Sequence, residues 1–173
     1  PEKIIKGEII TDILFDNLHI FHLSYIANYF YINFDLVPKY YQILHREKAL
    51  LRFAFRFFRK FTRLHKLYES FGSDFAFGQT KYKKSKTILD SISFKSKRDL
   101  LDYKIDNIRI GDLIYDSYLR TYTTSTVDLS DKNLAKMILN ALDVYFSCKE
   151  YLDTHNVKKI ILSHAVYINY GIL

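Results

Sequence analysis

The stretch from Ser163 to Gly171 places ionisable and aromatic side chains directly after a predicted buried strand, residues 157–162. Histidine gains and loses a proton near neutral pH, so His164 is a candidate general base or hydrogen-bond donor to phosphate. Tyr167 and Tyr170 could stack on a base or a sugar, or donate hydrogen bonds. A helix that starts here would also direct free N–H groups towards an anion. The alternative interpretation is an ordinary capped helix start with packed tyrosines.

A second candidate is the polar face of a short predicted helix, residues 111–119. Asp112, Asp116 and Arg120 follow one another at intervals of four residues, so they share one helical face. One interpretation is a ladder within the helix, in which Asp116 pairs with Arg120. The other is the wall of a cleft, where a carboxylate binds sugar hydroxyls or acts as a base and Arg120 binds substrate. The spacing alone is compatible with both.

A third candidate is the long predicted helix of residues 47–71, which carries a stripe of cationic side chains beside a stripe of apolar ones. The cationic members recur every three or four residues and are Arg52, Arg56, Arg59, Arg63 and Lys66. Such a helix can lie on an anionic membrane surface or contact another phosphate-bearing partner. The apolar stripe, which is rich in phenylalanine, is more typical of a core-facing side.

The positive charge of the chain is concentrated around this helix. Residues 39–98 contain 16 basic and 4 acidic residues, a net charge of +12, whereas the whole chain carries +7. The partner of this segment is therefore expected to be phosphate in some form, such as lipid headgroups, nucleotide or nucleic acid. A solvated basic surface without a dedicated ligand is the alternative.

Other polar positions carry weaker signals. Asn28 lies within a predicted helix among aromatic residues, so it needs a buried partner or faces a cleft, and we include it among the substrate-binding candidates. Asp12 lies near the end of the first predicted strand and could face the same cleft. His19 and His22 have a spacing that can share a metal, but no third ligand is evident and no metal site is predicted. The sequence contains no glycine-rich phosphate-binding motif and no Gly-x-Ser-x-Gly elbow.

The elements that must position these side chains alternate between strand and helix. Short apolar, β-branched runs predict strands at 8–14, 36–44, 74–77 and 157–162, and the intervening periodic stretches predict helices at 18–34, 47–71, 81–102, 111–119 and 131–154. Ser130 is the predicted N-cap of the last helix, and a break is expected near residues 93–96. This alternation favours parallel βαβ units. The predicted fold class is α/β, a helix-rich, three-layer Rossmann-like sandwich with a mostly parallel sheet, whose ligands bind at the carboxyl ends of the strands.

The composition supports a globular domain. Of the 173 residues, 49% are hydrophobic and 26% are charged, which argues against disorder. The single cysteine, Cys148, excludes a disulfide scaffold. No apolar run reaches the roughly 18 residues of a membrane-spanning helix, and no secretory leader is evident.

Three segments together resemble a known family. They are IRIGDLIYDSYLR (residues 108–120), KKIILSHAVYINYGIL (158–173) and the opening GEIITDILFDN followed by LSYIANYF. These segments are similar to bacterial surface-polysaccharide biosynthesis proteins, the capsule or lipopolysaccharide glycosyltransferase-like enzymes of the two-lobed GT-B type.

The resemblance implies that residues 1–173 form a single Rossmann-like lobe, the N-terminal, acceptor-side part of a longer protein whose second lobe is missing here. It implies transfer of a sugar from a nucleotide-sugar donor to a glycan acceptor, without a cofactor in this chain and without a catalytic metal. His164 is then the first candidate for the base that deprotonates the acceptor, followed by Asp116 and Asp112. Arg120, Tyr167, Tyr170 and Asn28 are candidates for substrate binding. The expected location is cytoplasmic, with peripheral contact to the inner membrane through the arginine stripe.

Two other functions remain open at this point. A basic nucleic-acid-binding module would use the cationic segment together with aromatic stacking, but no recognised motif is present and nucleic acid is not the expected partner. A non-catalytic scaffold would bury and pair the polar residues at the strand ends. On its own the present chain is expected to be inactive.

Overall fold

The computed structural model describes residues 4–12, 17–41 and 79–173. The predicted helix at 47–71 and the predicted strand at 74–77 lie outside these ranges. The four arginines proposed for membrane contact, Arg52, Arg56, Arg59 and Arg63, lie outside them as well.

Three strands form a parallel sheet: β1 (Gly7–Asp12), β2 (Leu36–Tyr41) and β5 (Val157–Ile161). β1 lies in the middle, in the order β2-β1-β5. Its register with β2 runs without interruption from Gly7↔Leu36 to Asp12↔Tyr41, and its pairing with β5 has one irregularity, between Glu8 and Ile9. The fold class is therefore α/β with a parallel sheet, as the alternating pattern predicts, and it is compatible with a Rossmann-like fold.

The sequence of β1 explains its central position. A strand that is covered on both faces reads as an almost continuous apolar, β-branched run rather than an alternating one. Ile9, Ile10 and Thr11 are all completely buried. Pro38 is accommodated in β2, an outer strand of the three, because an outer strand can spare one N–H.

Six helices are present in the described ranges: α1 (Asn17–Phe34), α2 (Lys83–Ser91), α3 (Lys97–Leu101), α4 (Gly111–Tyr122), α5 (Lys132–Thr154) and α6 (Tyr167–Gly171). The predicted break near residues 93–96 is confirmed, because α2 and α3 are separate helices. A capping box between Ser96 and Asp99 starts α3. None of the helices in these ranges has the length and apolar character needed to cross a bilayer.

The predicted N-cap of α5 is wrong, and a hairpin that the sequence did not predict precedes α4. The hairpin consists of β3 (Lys104–Ile105) and β4 (Ile108–Arg109). Asp106 and Asn107 form its two-residue turn with φ values of 47° and 67°, as a type I′ turn requires. Ser130 is not the N-cap of α5. The Asp131 carboxylate accepts the N–H of Asn133 at 2.9 Å and has that role, while Ser130 bonds to Asp128.

The chain divides into two compact units. The first comprises Pro1–Gly78 and Tyr151–Ser163 and contains the parallel sheet and α1. The second comprises Gln79–Glu150 and His164–Leu173 and contains α2, α3, the hairpin, α4, most of α5, and α6. In the second unit, α4 begins at Gly111, where a Cβ atom would lie 1.8 Å from the carbonyl oxygen of Leu100. Glycine is therefore required for the close approach of α3 and α4.

Candidate functional site

The carboxyl end of the sheet holds a buried carboxylate. Asp12 is the last residue of β1 and is completely buried. Its two oxygens accept the backbone N–H of Ser163, at 3.0 Å, and the Ser163 hydroxyl. Ser163 follows β5 in the chain, so Asp12 joins the carboxyl ends of two neighbouring parallel strands. β1 is also the strand at which the strand order reverses, where α/β sheets place their ligands.

Thr11, the residue before Asp12 in β1, carries a second buried polar atom, on the opposite face of the sheet. The Thr11 hydroxyl is buried and has no hydrogen-bond partner within the described ranges. A buried hydroxyl without a partner costs free energy. The end of β1 therefore combines a fully engaged carboxylate with an unsatisfied hydroxyl.

The second unit brings several of the predicted residues together where α6 packs on α4. The Ser117 hydroxyl of α4 accepts the backbone N–H of Ile168 at 2.9 Å. Gly171 lies against Leu113, whose nearest carbon would be 2.5 Å from an added Cβ atom. These two contacts fix the five-residue helix α6 against α4. The hydrogen bond from Ile168 also engages one of the first N–H groups of α6, which the sequence had suggested as donors to a bound anion.

Arg120 and Tyr167 meet across this junction. The guanidinium carbon of Arg120 lies 4.6 Å from the centre of the Tyr167 ring, a cation–π contact. Among the described residues no carboxylate forms an ion pair with Arg120, so the predicted ladder between Asp116 and Arg120 is not formed. Arg120 is exposed, and a guanidinium held over an aromatic face keeps its N–H groups available to an anion or a hydroxyl.

His164 and Tyr170 form the other pair. Their ring centres are 4.8 Å apart with an interplanar angle of 58°, and both side chains are partly buried. Tyr167 and Tyr170 are three residues apart in α6 and so occupy neighbouring positions on the helix. We call Arg120, His164, Tyr167 and Tyr170 the α4–α6 cluster.

The two aspartates of α4 differ in their surroundings. Asp112 forms an ion pair with Arg109 at 2.9 Å and also accepts the N–H of Leu113. Asp116 is exposed, and within the described part of the chain no hydrogen bond or ion pair engages it. Asp116 is therefore the carboxylate that is free to accept a ligand hydroxyl or a proton.

The remaining predicted residues lie elsewhere. Asn28 is partly buried in α1, which belongs to the first unit. Within the described ranges, no group of three or more His, Cys, Asp or Glu side chains is placed to hold a metal ion.

The sequence patterns missed two residues of α4, Ser117 and Tyr118, that make contacts important to this part of the fold. Ser117 is buried and anchors α6, although its position in α4 resembles any small helical residue. Tyr118 donates its hydroxyl to Asp131, which raises the pKa of Tyr118 to about 12 and lowers the pKa of Asp131. Asp12 gave a weak signal through its place at a strand end, but its partner Ser163 is 151 residues away and no local pattern connects them.

Comparisons with protein-family models, curated proteins and solved structures found no match.

Proposed function

We propose that this chain is the N-terminal, acceptor-side lobe of a glycosyltransferase-like enzyme of bacterial surface-polysaccharide biosynthesis. The observation that carries the proposal is the α4–α6 cluster, where Arg120 lies over the ring of Tyr167 and His164 lies beside Tyr170. Asp12, by contrast, is buried and paired with Ser163, as a scaffold would require. The choice of saccharide chemistry follows from the resemblance inferred for residues 108–120 and 158–173, which stays a prediction from the sequence.

The α4–α6 cluster supplies the groups that bind the acceptor glycan. The tyrosine rings offer apolar faces to the C–H groups of a sugar, while Arg120 and Asp116 exchange hydrogen bonds with its hydroxyls. Both types of contact are needed, because ligand sites combine apolar walls with a few polar groups that fix orientation. Asn28 belongs to the first unit and stays a separate prediction for substrate binding.

The proposed reaction is sugar transfer from a nucleotide-sugar donor. The acceptor hydroxyl oxygen forms a bond to the anomeric carbon, the bond from that carbon to the nucleotide diphosphate breaks, and the hydroxyl proton passes to a base. His164 is the first candidate for this base because histidine exchanges a proton near neutral pH. Asp116 is the second candidate. Asp112 is the third, because its ion pair with Arg109 would have to be given up.

The proposal implies particular partners and a location. The donor binds mainly to a second lobe, and the acceptor binds here. Nucleotide sugars are made in the cytoplasm, so we place the protein on the cytoplasmic side of the inner membrane. No nucleic-acid partner is proposed.

A thermal-shift screen tests the proposal. A ligand that binds only the native state raises the melting temperature by mass action. Oligosaccharides should raise the melting temperature of this chain, and Arg120→Ala should abolish the rise. Arg98→Ala is the matched control, because Arg98 is an exposed arginine of α3 paired with Asp102 and should leave the rise intact. A flat response to both oligosaccharides and nucleotide sugars would contradict the proposal and favour a scaffold role.

A further inference from the structure

The first unit contains an open cavity at the amino end of its parallel sheet, at the other end of β1 from Asp12. Its volume is about 330 Å³, near the lower end of the range of about 300–1,000 Å³ for ligand sites, so it suits a small molecule. All of the lining residues belong to the first unit. They are Ile5, Gly7, Glu8, Val37, Lys39 and Asn156.

The strand register places the two charged lining residues on the same face of the sheet. Glu8 of β1 pairs with Val37 of β2. Residues that pair across neighbouring strands share a face, and so do residues two positions apart on one strand, so Lys39 lies one step along the sheet from Glu8. On this face Glu8, Val37 and Lys39 are partly buried, whereas Leu36 and Pro38, on the opposite face of β2, are buried.

The Glu8 carboxylate is held in place but keeps one oxygen free. Its Oε2 accepts the hydroxyl of Tyr151, a buried side chain, at 2.6 Å. Within the described ranges no other hydrogen bond and no ion pair engages this carboxylate. Lys6, two residues before it, is paired with Asp35 at 2.9 Å. Glu8 therefore offers its Oε1 to a cationic donor.

Lys39 and Asn156 supply complementary groups. Within the described part of the chain the Lys39 ammonium forms no ion pair and no hydrogen bond, although it lines the same cavity as Glu8. Asn156 donates its Nδ2 to the carbonyl of Lys6 at 2.9 Å, so its Oδ1 stays available as an acceptor. Partial burial of unpaired charges costs free energy, which a ligand that engages both of them recovers.

We propose that this cavity binds a small aliphatic α-amino acid. The ligand ammonium donates to Glu8 and Asn156, and the ligand carboxylate accepts from Lys39. The ligand side chain lies against the apolar Ile5 and Val37. A simple amine would leave Lys39 unpaired and a simple carboxylate would leave Glu8 unpaired, so a zwitterion alone satisfies both charges. This inference does not depend on the proposed transferase function.

Calorimetric titration of the native chain with three related ligands tests the inference. L-leucine carries both charges, isoamylamine is the same molecule without the carboxylate, and isocaproate is the same molecule without the ammonium. L-leucine should bind saturably. Each analogue should bind at least about tenfold more weakly, because it leaves one charge of the cavity unpaired. No binding of L-leucine, or equal binding of all three ligands, would overturn the inference.

Two substitutions assign the charges. Lys39→Met keeps the aliphatic stem and removes the ammonium, so L-leucine should lose its advantage over isoamylamine. Glu8→Gln keeps an acceptor for Tyr151 and should remove the advantage over isocaproate. Lys159→Met is the matched control, because Lys159 is exposed on β5 of the same unit, outside the cavity, and should retain both preferences. Native ligand preferences in Lys39→Met or Glu8→Gln would overturn the inference.

Discussion

Tyr167 illustrates how a single residue of the α4–α6 cluster is held in place. Its backbone is left-handed, with φ at 63°, a conformation that bulky side chains rarely adopt. The cost of about 1–2 kcal/mol must be offset by neighbouring contacts. The Tyr167 ring contacts Arg120, and the next residue, Ile168, donates its N–H to the Ser117 hydroxyl.

A pair of substitutions isolates the backbone strain at Tyr167. Tyr167→Gly and Tyr167→Ala both remove the ring and its contact with Arg120, so they differ only in backbone preference. The glycine variant should be more stable than the alanine variant by about 1 kcal/mol, because glycine accepts a positive φ. Urea denaturation measures the difference. An alanine variant of equal or greater stability would show that this position is not strained.

The contrast between Asp112 and Asp116 also belongs to the residue scale. The sequence places both on one helical face and cannot distinguish them. The structure does so because Arg109, at the end of the β3–β4 hairpin, reaches Asp112 and leaves Asp116 exposed. Since helical spacing does not determine which partner lies opposite a face, this difference could not be predicted.

At the scale of elements, the ends of helices were harder to predict than their existence. The break between α2 and α3 was predicted near residues 93–96, and the structure adds Ser96 as the N-cap of α3. The start of α5 was misplaced by one residue, since Ser130 and Asp131 are both good N-caps. Tyr118 of α4 donates its hydroxyl to Asp131, and this tertiary contact accompanies the use of Asp131 rather than Ser130 as the N-cap.

The C-terminus of α4 offers a stabilising substitution. Thr123 is left-handed, with φ at 50°, and its N–H bonds to the carbonyl of Leu119. Thr123→Gly should raise the free energy of unfolding by about 1 kcal/mol, because β-branched residues are strained at this position. Thr121→Gly, also exposed but within α4, should lower it by about 0.3 kcal/mol. Thermal or urea denaturation measures the free energy of unfolding of both variants. Changes of the same sign in Thr123→Gly and Thr121→Gly would contradict the prediction.

The junction of α4 and α5 gives a pH dependence. The hydrogen bond from Tyr118 lowers the pKa of Asp131 below its ordinary 3.8 and raises the pKa of Tyr118 from 10.0 to about 12. The Asp131 contribution is present above 3.8 and is lost as pH falls through the lowered pKa of the folded state. The Tyr118 contribution is present below 10.0 and is lost as pH rises towards 12.

Urea denaturation across pH tests this coupling. Tyr118→Phe should be less stable than the native chain at neutral pH, and the difference should shrink at both extremes. Tyr115→Phe is a suitable control, because Tyr115 lies on the same helix without a carboxylate partner among the described residues. A difference that stays constant with pH would contradict the assignment.

At the scale of the whole molecule, the α/β class and the parallel sheet followed from the alternation of apolar strands with periodic helices. The strand order followed less directly, because pairing of β1 with β5 joins residues about 150 positions apart and no local pattern encodes it. The same separation conceals the bond between Asp12 and Ser163. The α4–α6 cluster was partly predicted, since its members were each chosen as candidates. The pairing of Arg120 with Tyr167 and of His164 with Tyr170 depends on how α6 packs on α4.

The most direct test of the proposed glycan site is histidine-ring NMR during titration with an oligosaccharide that raises the melting temperature. Of the six histidines, His164 belongs to the α4–α6 cluster, whereas His155 stacks on Tyr151 at 3.9 Å in the other unit. Histidine-to-glutamine variants assign the two signals. The proposal predicts that the His164 resonances move to saturation while those of His155 stay in place. Saturable binding that leaves His164 unchanged would contradict the assignment of this cluster as the glycan site.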